Sequence, residues 1–330
     1  MKLARRILVY ADTVDDNPDC LGVAMELTRQ NQPIVFLLSV LPCFDELFSF
    51  FDNQTLRSSL QSDVEKQTLS GLQTIGELIS ESGVSPEVSI DSGSKVKKIV
   101  SYITDNNCDL LIKDVSGEIV HSRKILDSVD RKLIRHCPCP IWLVRDSSVT
   151  KSETKSEKIT AVAINAAAET PIERQLNSSL IRHGELVASV LGGPLVFLHV
   201  CDFDSAGILK SSFDHDSYLK YYKDVNLAAR EALVNLLENE GIEKPNDKVA
   251  VLSGLPSPSI AEYCNNKSVD TLVMGTVGRS GLSGIVVGNT AERVVDRVDC
   301  SLLIVSPKEV RSKVEVNVEE TVSAGAACMA

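Results

Sequence analysis

One segment of this chain concentrates residue types that can hold a phosphate. Met274-Gly275-Thr276-Val277-Gly278-Arg279 leads, with nine residues between Gly278 and Gly288, to Gly288-Asn289-Thr290-Ala291-Glu292. Glycines let a backbone approach a ligand closely and adopt positive φ, and successive N–H groups in such a loop cradle an anion. Asn289 with Glu292 three residues later reads as a capping box that opens a helix. A helix start directly behind a glycine loop favours negative charge, because its unpaired N–H groups and its dipole act together. Arg279 adds a mobile positive charge. The expected chemistry is nucleotide phosphate binding, with Met274, Gly275, Thr276, Gly278, Arg279, Gly288, Asn289 and Thr290 forming the cradle.

Other clusters carry less. His136-Cys137-Pro138-Cys139 brings three metal-ligand types together, yet no second Cys/His pair follows at zinc spacing, so it reads as a turn before a strand. Asp214-His215-Asp216 reads as a solvated loop before a long helix. His121, His183 and His199 have no acidic or serine partner at recognisable spacing. There is no nucleophilic triad and no GxxxxGK[ST] loop. Lys95-Val96-Lys97-Lys98 reads as an exposed helix start.

The elements that must position the glycine loop emerge from an internal repeat. Asn107 to Ile112 resembles Ser268 to Val273, and Cys139 to Val144 resembles Cys300 to Val305, both 161 positions apart. The offset is 160 between Val40 and Val200 and 153 between Asp12 and Asn165, as insertions would produce. A unit of this size occurring twice is a tandem domain duplication rather than a solenoid. Each copy shows five short continuous apolar runs: Ile7–Ala11, Ile34–Val40, Glu87–Ile90, Leu110–Lys113 and Ile141–Val144, then Thr160–Ile164, Leu195–Val200, Lys248–Leu252, Thr271–Met274 and Leu302–Val305. Continuous runs suit strands buried on both faces. Between them, Leu69, Leu72, Ile75, Leu78 and Ile79, and Leu227, Ala228, Ala232, Leu233, Leu236 and Leu237, recur at helical spacing. Alternating strands and helices predict an α/β protein of two doubly wound, five-stranded parallel sheets. Such sheets bind ligands at the carboxyl ends of their strands. The expected divisions are a first domain at 1–147, a polar linker at 148–157, a second domain at 158–308 and a frayed tail at 309–330.

Composition narrows the classes. The chain has 330 residues, 43 % hydrophobic and 24 % charged, as in a globular protein. Its formal net charge of −11 disfavours general nucleic-acid binding. No apolar stretch approaches the roughly 20 residues of a membrane span. Nine scattered Cys without a regular framework suit a reducing compartment, so the expected location is the cytoplasm.

The pattern Gly275-x2-Gly278-x9-Gly288 followed by Asn289-Thr290 resembles the universal stress protein family, and the resemblance covers both copies, about residues 3–147 and 158–308. Val277 to Gly281, Gly288 to Glu292 and His136 to Val144 are similar to the tandem, E-type proteins of proteobacteria. The resemblance implies an adenine nucleotide alpha hydrolase-like fold and ATP, with or without magnesium, held by the glycine motif. It also implies that domains pair through their last strands, here intramolecularly as a pseudo-dimer, with a homodimer left open. The family carries an Asp that meets the adenosine at the end of the first strand. This chain has Ile164-Asn165 there, and Asn165 brings no charge. At the end of the second strand, Val200 stands where the family's backbone meets adenine.

The first copy departs further. The 161 offset sets Asp114 against Gly275, Gly117 against Gly278, Asp127 against Gly288 and Ser128 against Asn289. Asp12 keeps the family's acid. A carboxylate about 4 Å from a phosphate costs roughly 1 kcal/mol in water and more in a screened pocket, so this copy is expected not to bind nucleotide. The expected function is a stress-response regulator binding ATP in its second domain, with slow or no hydrolysis. The alternatives are a weak ATPase, and an interaction or small-ligand module, lipid-like ligands included, working through the first domain.

Overall fold

The computed structural model describes residues 3–12, 18–43, 54–115, 119–120, 123–124, 126–145, 157–202, 207–276 and 289–307. The chain divides into two compact units, one holding Met1–Glu153 and the other Thr154–Pro307.

The first unit runs β1 (Arg6–Tyr10), α1 (Asp19–Asn31), β2 (Ile34–Leu41), α2 (Gln54–Ser80), β3 (Glu87–Ser92), α3 (Lys95–Asp105), β4 (Leu110–Asp114), α4 (Ser128–His136) and β5 (Ile141–Val144). Five of its strands form a parallel sheet in the order β3-β2-β1-β4-β5, and the short strands Ile119–Val120 and Arg123–Lys124 pair antiparallel outside it. The second runs β6 (Thr160–Ala163), α5 (Pro171–Leu191), β7 (Leu195–Cys201), α6 (His215–Asn239), β8 (Val249–Ser253), α7 (Pro256–Asn266), β9 (Thr271–Gly275), α8 (Asn289–Val295) and β10 (Ser301–Val305). Its parallel order, β8-β7-β6-β9-β10, is the same. Each chain winds outward from the middle strand, then returns to the other side of it, so each sheet has a switch point beside its first strand.

The apolar runs form the strands because both sheet faces are covered. Ile7, Leu8 and Val9 in β1 and Leu272 and Val273 in β9 have no exposed surface, whereas the edge strands β3 and β8 are only half-buried. Strand limits differ from the sequence expectation by a residue or two. Asp114 and Ser253 pair through their backbones although their side chains end the apolar run.

The changing repeat offset has a physical place. Helix α1 has 13 residues and α5 has 21, so most of the drift lies in the first helix. The long helices carry more apolar stripe than they bury. In α2, Leu72, Ile75 and Ile79 are fully buried while Leu69 is 42 % exposed, and in α6 Leu233 and Leu237 are buried while Leu227 is 57 % exposed.

Candidate functional site

Five of the sequence-derived site residues of the second unit converge at its switch point. A cavity of about 210 Å³ opens at the carboxyl ends of β6, β7 and β9, with Ile164, Asn165, Val200, Met274 and Gly275 in its walls. Ala291, in the first turn of α8, closes one side. The helix predicted behind the glycine loop therefore begins at the cavity, with Asn289 and Thr290 as its first two residues. Thr276 follows Gly275 but serves β10 instead. Its N–H donates to the Val305 carbonyl (3.1 Å), and its hydroxyl lies 3.1 Å from that of Ser306. Gly278, Arg279 and Gly288 lie outside the described residues.

Gly275 has a steric reason to be glycine. A Cβ there would lie 2.7 Å from Leu176 Cδ2, and Leu176, on α5, is itself part of the cavity wall. A side chain at 275 would have to displace that wall.

Asn165 is held rather than loose. Its N–H lies 3.4 Å from Asn177 Oδ1, and Asn177 Nδ2 donates to the Asn165 carbonyl (2.8 Å). The Asn165 Oδ1 accepts from the Ala167 N–H (3.2 Å). His199, on β7, brackets the same turn: its Nδ1 lies 3.2 Å from the Ala166 N–H and 3.2 Å from the Ile164 carbonyl. Asn177 and His199 are 3 % and 5 % exposed and both line the cavity. Sequence reasoning missed this pair. The one signal for Asn177 was its place on the buried stripe Leu176, Leu180, Ile181 of α5. His199 has no acidic or serine partner at catalytic spacing, so its sequence context carries no signal of this role.

Glu173 also lines the cavity. Its carboxylate accepts from the N–H groups of Glu169 and Thr170 and from the Thr170 hydroxyl, while Thr170 Oγ1 accepts from the Glu173 N–H. This is the capping box of α5. The carboxylate is spent on the helix start, so it is poorly placed to act as a base on water.

The corresponding place in the first unit is built differently. Lys113 and Asp130, at the positions of Met274 and Ala291, form an ion pair in which neither side chain has any exposed surface. The Lys113 ammonium also donates to the Asp114 carbonyl (2.7 Å). Asp114, the counterpart of Gly275, accepts the Cys20 N–H (2.6 Å) at the start of α1, whose own N-cap, Pro18, has no side chain to offer. Asp127, the counterpart of Gly288, caps α4: its Oδ1 accepts the Asp130 N–H (2.8 Å), and Asp130 Oδ2 lies 3.4 Å from the Asp127 N–H. Two of the N–H groups at this helix start, where an anion would bind, are thus answered internally. Asp12 accepts from the Tyr10 hydroxyl (3.1 Å) and pairs with Lys95. Burial, and then the charge of Asp12, hold the Tyr10 hydroxyl well above its usual range.

In the turn expected before β5, the Cys137 and Cys139 Sγ atoms lie 3.6 Å apart. Among the described residues, no three His, Cys, Asp or Glu side chains gather as a metal site, and no helix is long and apolar enough to cross a membrane.

The profile of the Universal stress protein family matches residues 4–145 and 175–306. The chain is 26 % identical over 328 residues to Universal stress protein E of Escherichia coli K12, covering 97 % of this chain and 99 % of that one. It is also 26 % identical over 316 residues to a Universal stress protein E homolog of Haemophilus influenzae, covering 92 % and 98 %. Among solved structures, a protein of unknown function from Pseudomonas aeruginosa PAO1 aligns with a TM-score of 0.69 at 19 % identity, over 96 % of this chain and 98 % of that one. A universal stress protein from Archaeoglobus fulgidus aligns at 0.61 and 16 % identity, over 92 % and 98 %. At these identities the structural likeness concerns the fold.

Proposed function

The chain belongs to the universal stress protein family, and from that premise we propose that it is a stress-response regulator whose second unit binds ATP and whose first unit does not. The observation that carries this reading is the contrast at one pair of equivalent positions. Met274 and Ala291 leave a cavity open at the switch point, and Lys113 and Asp130 fill the same place with a buried ion pair. The adenosine end of the nucleotide occupies the cavity between Asn165 and Val200. The phosphates extend from Gly275 toward the start of α8, where N–H groups and the helix dipole favour negative charge. Hydrolysis is slow or absent, because Glu173 is committed to its capping box and His199 to a backbone turn; neither is poised as a general base.

A small-ligand site in the first unit has one observation in its favour. A groove of about 550 Å³ lies between α2 and the ends of β2 and β3. Its walls carry Glu65, Lys66 and Asp91, which suits a polar ligand better than a lipid tail.

Calorimetric titration with ATP tests the proposal. The expected result is one equivalent bound per chain, lost when Gly278 and Gly288 are both replaced by Val. Two equivalents, or binding that survives those replacements, would move the site. No binding, together with no adenine nucleotide carried by the purified protein, would end the reading.

A further inference from the structure

The Nδ1 atom of His199 lies at the same distance, 3.2 Å, from a backbone donor and a backbone acceptor, the Ala166 N–H and the Ile164 carbonyl. One ring nitrogen cannot serve both. Without a proton it accepts from Ala166; with one it donates to Ile164 and leaves the Ala166 N–H unanswered. The two contacts bracket Asn165, whose carbonyl, N–H and Oδ1 are the other ties of this turn. The first unit has Ser39 at the position of His199.

We propose that His199 is a positioning residue that holds the Asn165 turn through the Ala166 N–H, so that protonation of the imidazole releases the turn and weakens the hold on adenosine. This rests on the adenine-nucleotide reading above for its ligand. Cation and neutral ring differ here because the imidazolium has donors at both nitrogens and can no longer accept. Among the described residues around the ring, Glu173 of α5 is the other titratable one lining the cavity; those of β6, β9, α7 and α8 that line it are uncharged. On β8, Val251 stands opposite His199. Arg230 of α6 is tied to the Asn246 and Val249 carbonyls. Further along β7, the nearest charge in sequence is Asp202, just past its end.

The experiment uses the full chain and uncharged adenosine as probe, which removes the attraction between an imidazolium and phosphate. Affinity is measured at about pH 8 and about pH 5.5, either side of the ordinary imidazole value near 6.5. The variants are His199→Asn, whose Oδ1 stands where Nδ1 stood and stays an acceptor at both pH values, and His199→Leu, which offers no acceptor. The wild type should lose roughly threefold to tenfold in affinity on acidification, the size of one hydrogen bond. His199→Asn should hold its affinity at both pH values, and His199→Leu should be weakened at both. In the unliganded protein, the Ala166 amide resonance should titrate in the wild type and stay still in His199→Asn. The proposal is overturned if His199→Asn follows the wild-type pH profile, or if the Ala166 amide does not move through the titration. An Ala166 amide that titrates in a protein that binds neither adenosine nor ATP supports the His199 contact and sinks the nucleotide reading instead.

Discussion

Lys113 and Asp130 form a wholly buried ion pair at the two positions that the repeat assigns to Met274 and Ala291, so the first unit holds opposite charges where the second holds open space. Removing one partner of such a pair strands the other charge away from water, which costs about 3–5 kcal/mol. Lys113→Met should lower the urea midpoint of the full chain accordingly. Adding Asp130→Ala should recover most of the loss, because no charge is left to solvate. A Lys113→Met variant within about 1 kcal/mol of wild type would mean that Asp130 sheds its charge or reaches water.

Gly275 and Leu176 are in steric competition. Gly275→Ala places a methyl 2.7 Å from Leu176 Cδ2, and overpacking of this kind costs about 1–3 kcal/mol. It should lower the melting temperature and shrink the cavity. In a Leu176→Ala background the same substitution should cost much less, giving a coupling energy typical of residues in contact. Additive effects would show that the wall yields elsewhere.

Thr170 opens α5, the helix that carries Leu176 and Asn177. Thr170→Ala removes the acceptor for the Glu173 N–H and should cost about 1 kcal/mol. Thr170→Ser, which keeps the hydroxyl, should restore nearly all of it in the same denaturant titration.

The Cys108 thiol is pushed up to about 12, chiefly by burial. Alkylation requires the thiolate, so at about pH 8 Cys108 should label far more slowly than the half-exposed Cys43, as read by peptide mass mapping. The same shift sets a sign for stability. Above the ordinary thiol value of 9.0 the unfolded chain gives up this proton while the folded chain keeps it. Cys108 therefore contributes stability below that value and loses it as pH rises toward about 12. Replacing Cys108 by Ala should flatten that alkaline decline.

Much of the fold was written in the chain. Ten apolar runs became the ten strands of the two sheets, because a strand covered on both faces has no room for polar alternation. The repeat also placed Met274 and Gly275 at a strand end beside the start of α8. Two kinds of feature were less legible. The hold on Asn165 comes from Asn177 and His199, which are distant in sequence and meet only because α5 and β7 both pack against β6. The charge pair in the first unit was hidden for a different reason. Lys113 ends an apolar run and Asp130 looks like an ordinary helix-start acid, so neither residue alone announces that they meet. Asp114 and Asp127 were read as repelling a phosphate; the structure adds that each also serves a helix start.

Asp130 joins two tasks, since its carboxylate neutralises Lys113 and its N–H closes the cap with Asp127. That junction bears on ancestry. A descendant that exchanged only Lys113 or only Asp130 for its counterpart in the other unit would pass through a protein with an unpaired interior charge, whose cost of about 3–5 kcal/mol is a large share of the roughly 5–15 kcal/mol margin of an ordinary domain. Return of the first half to the form of the second therefore demands simultaneous changes, and the divergence of the two copies works as a ratchet. Lineages that descend from this arrangement should keep the pair or lose it whole.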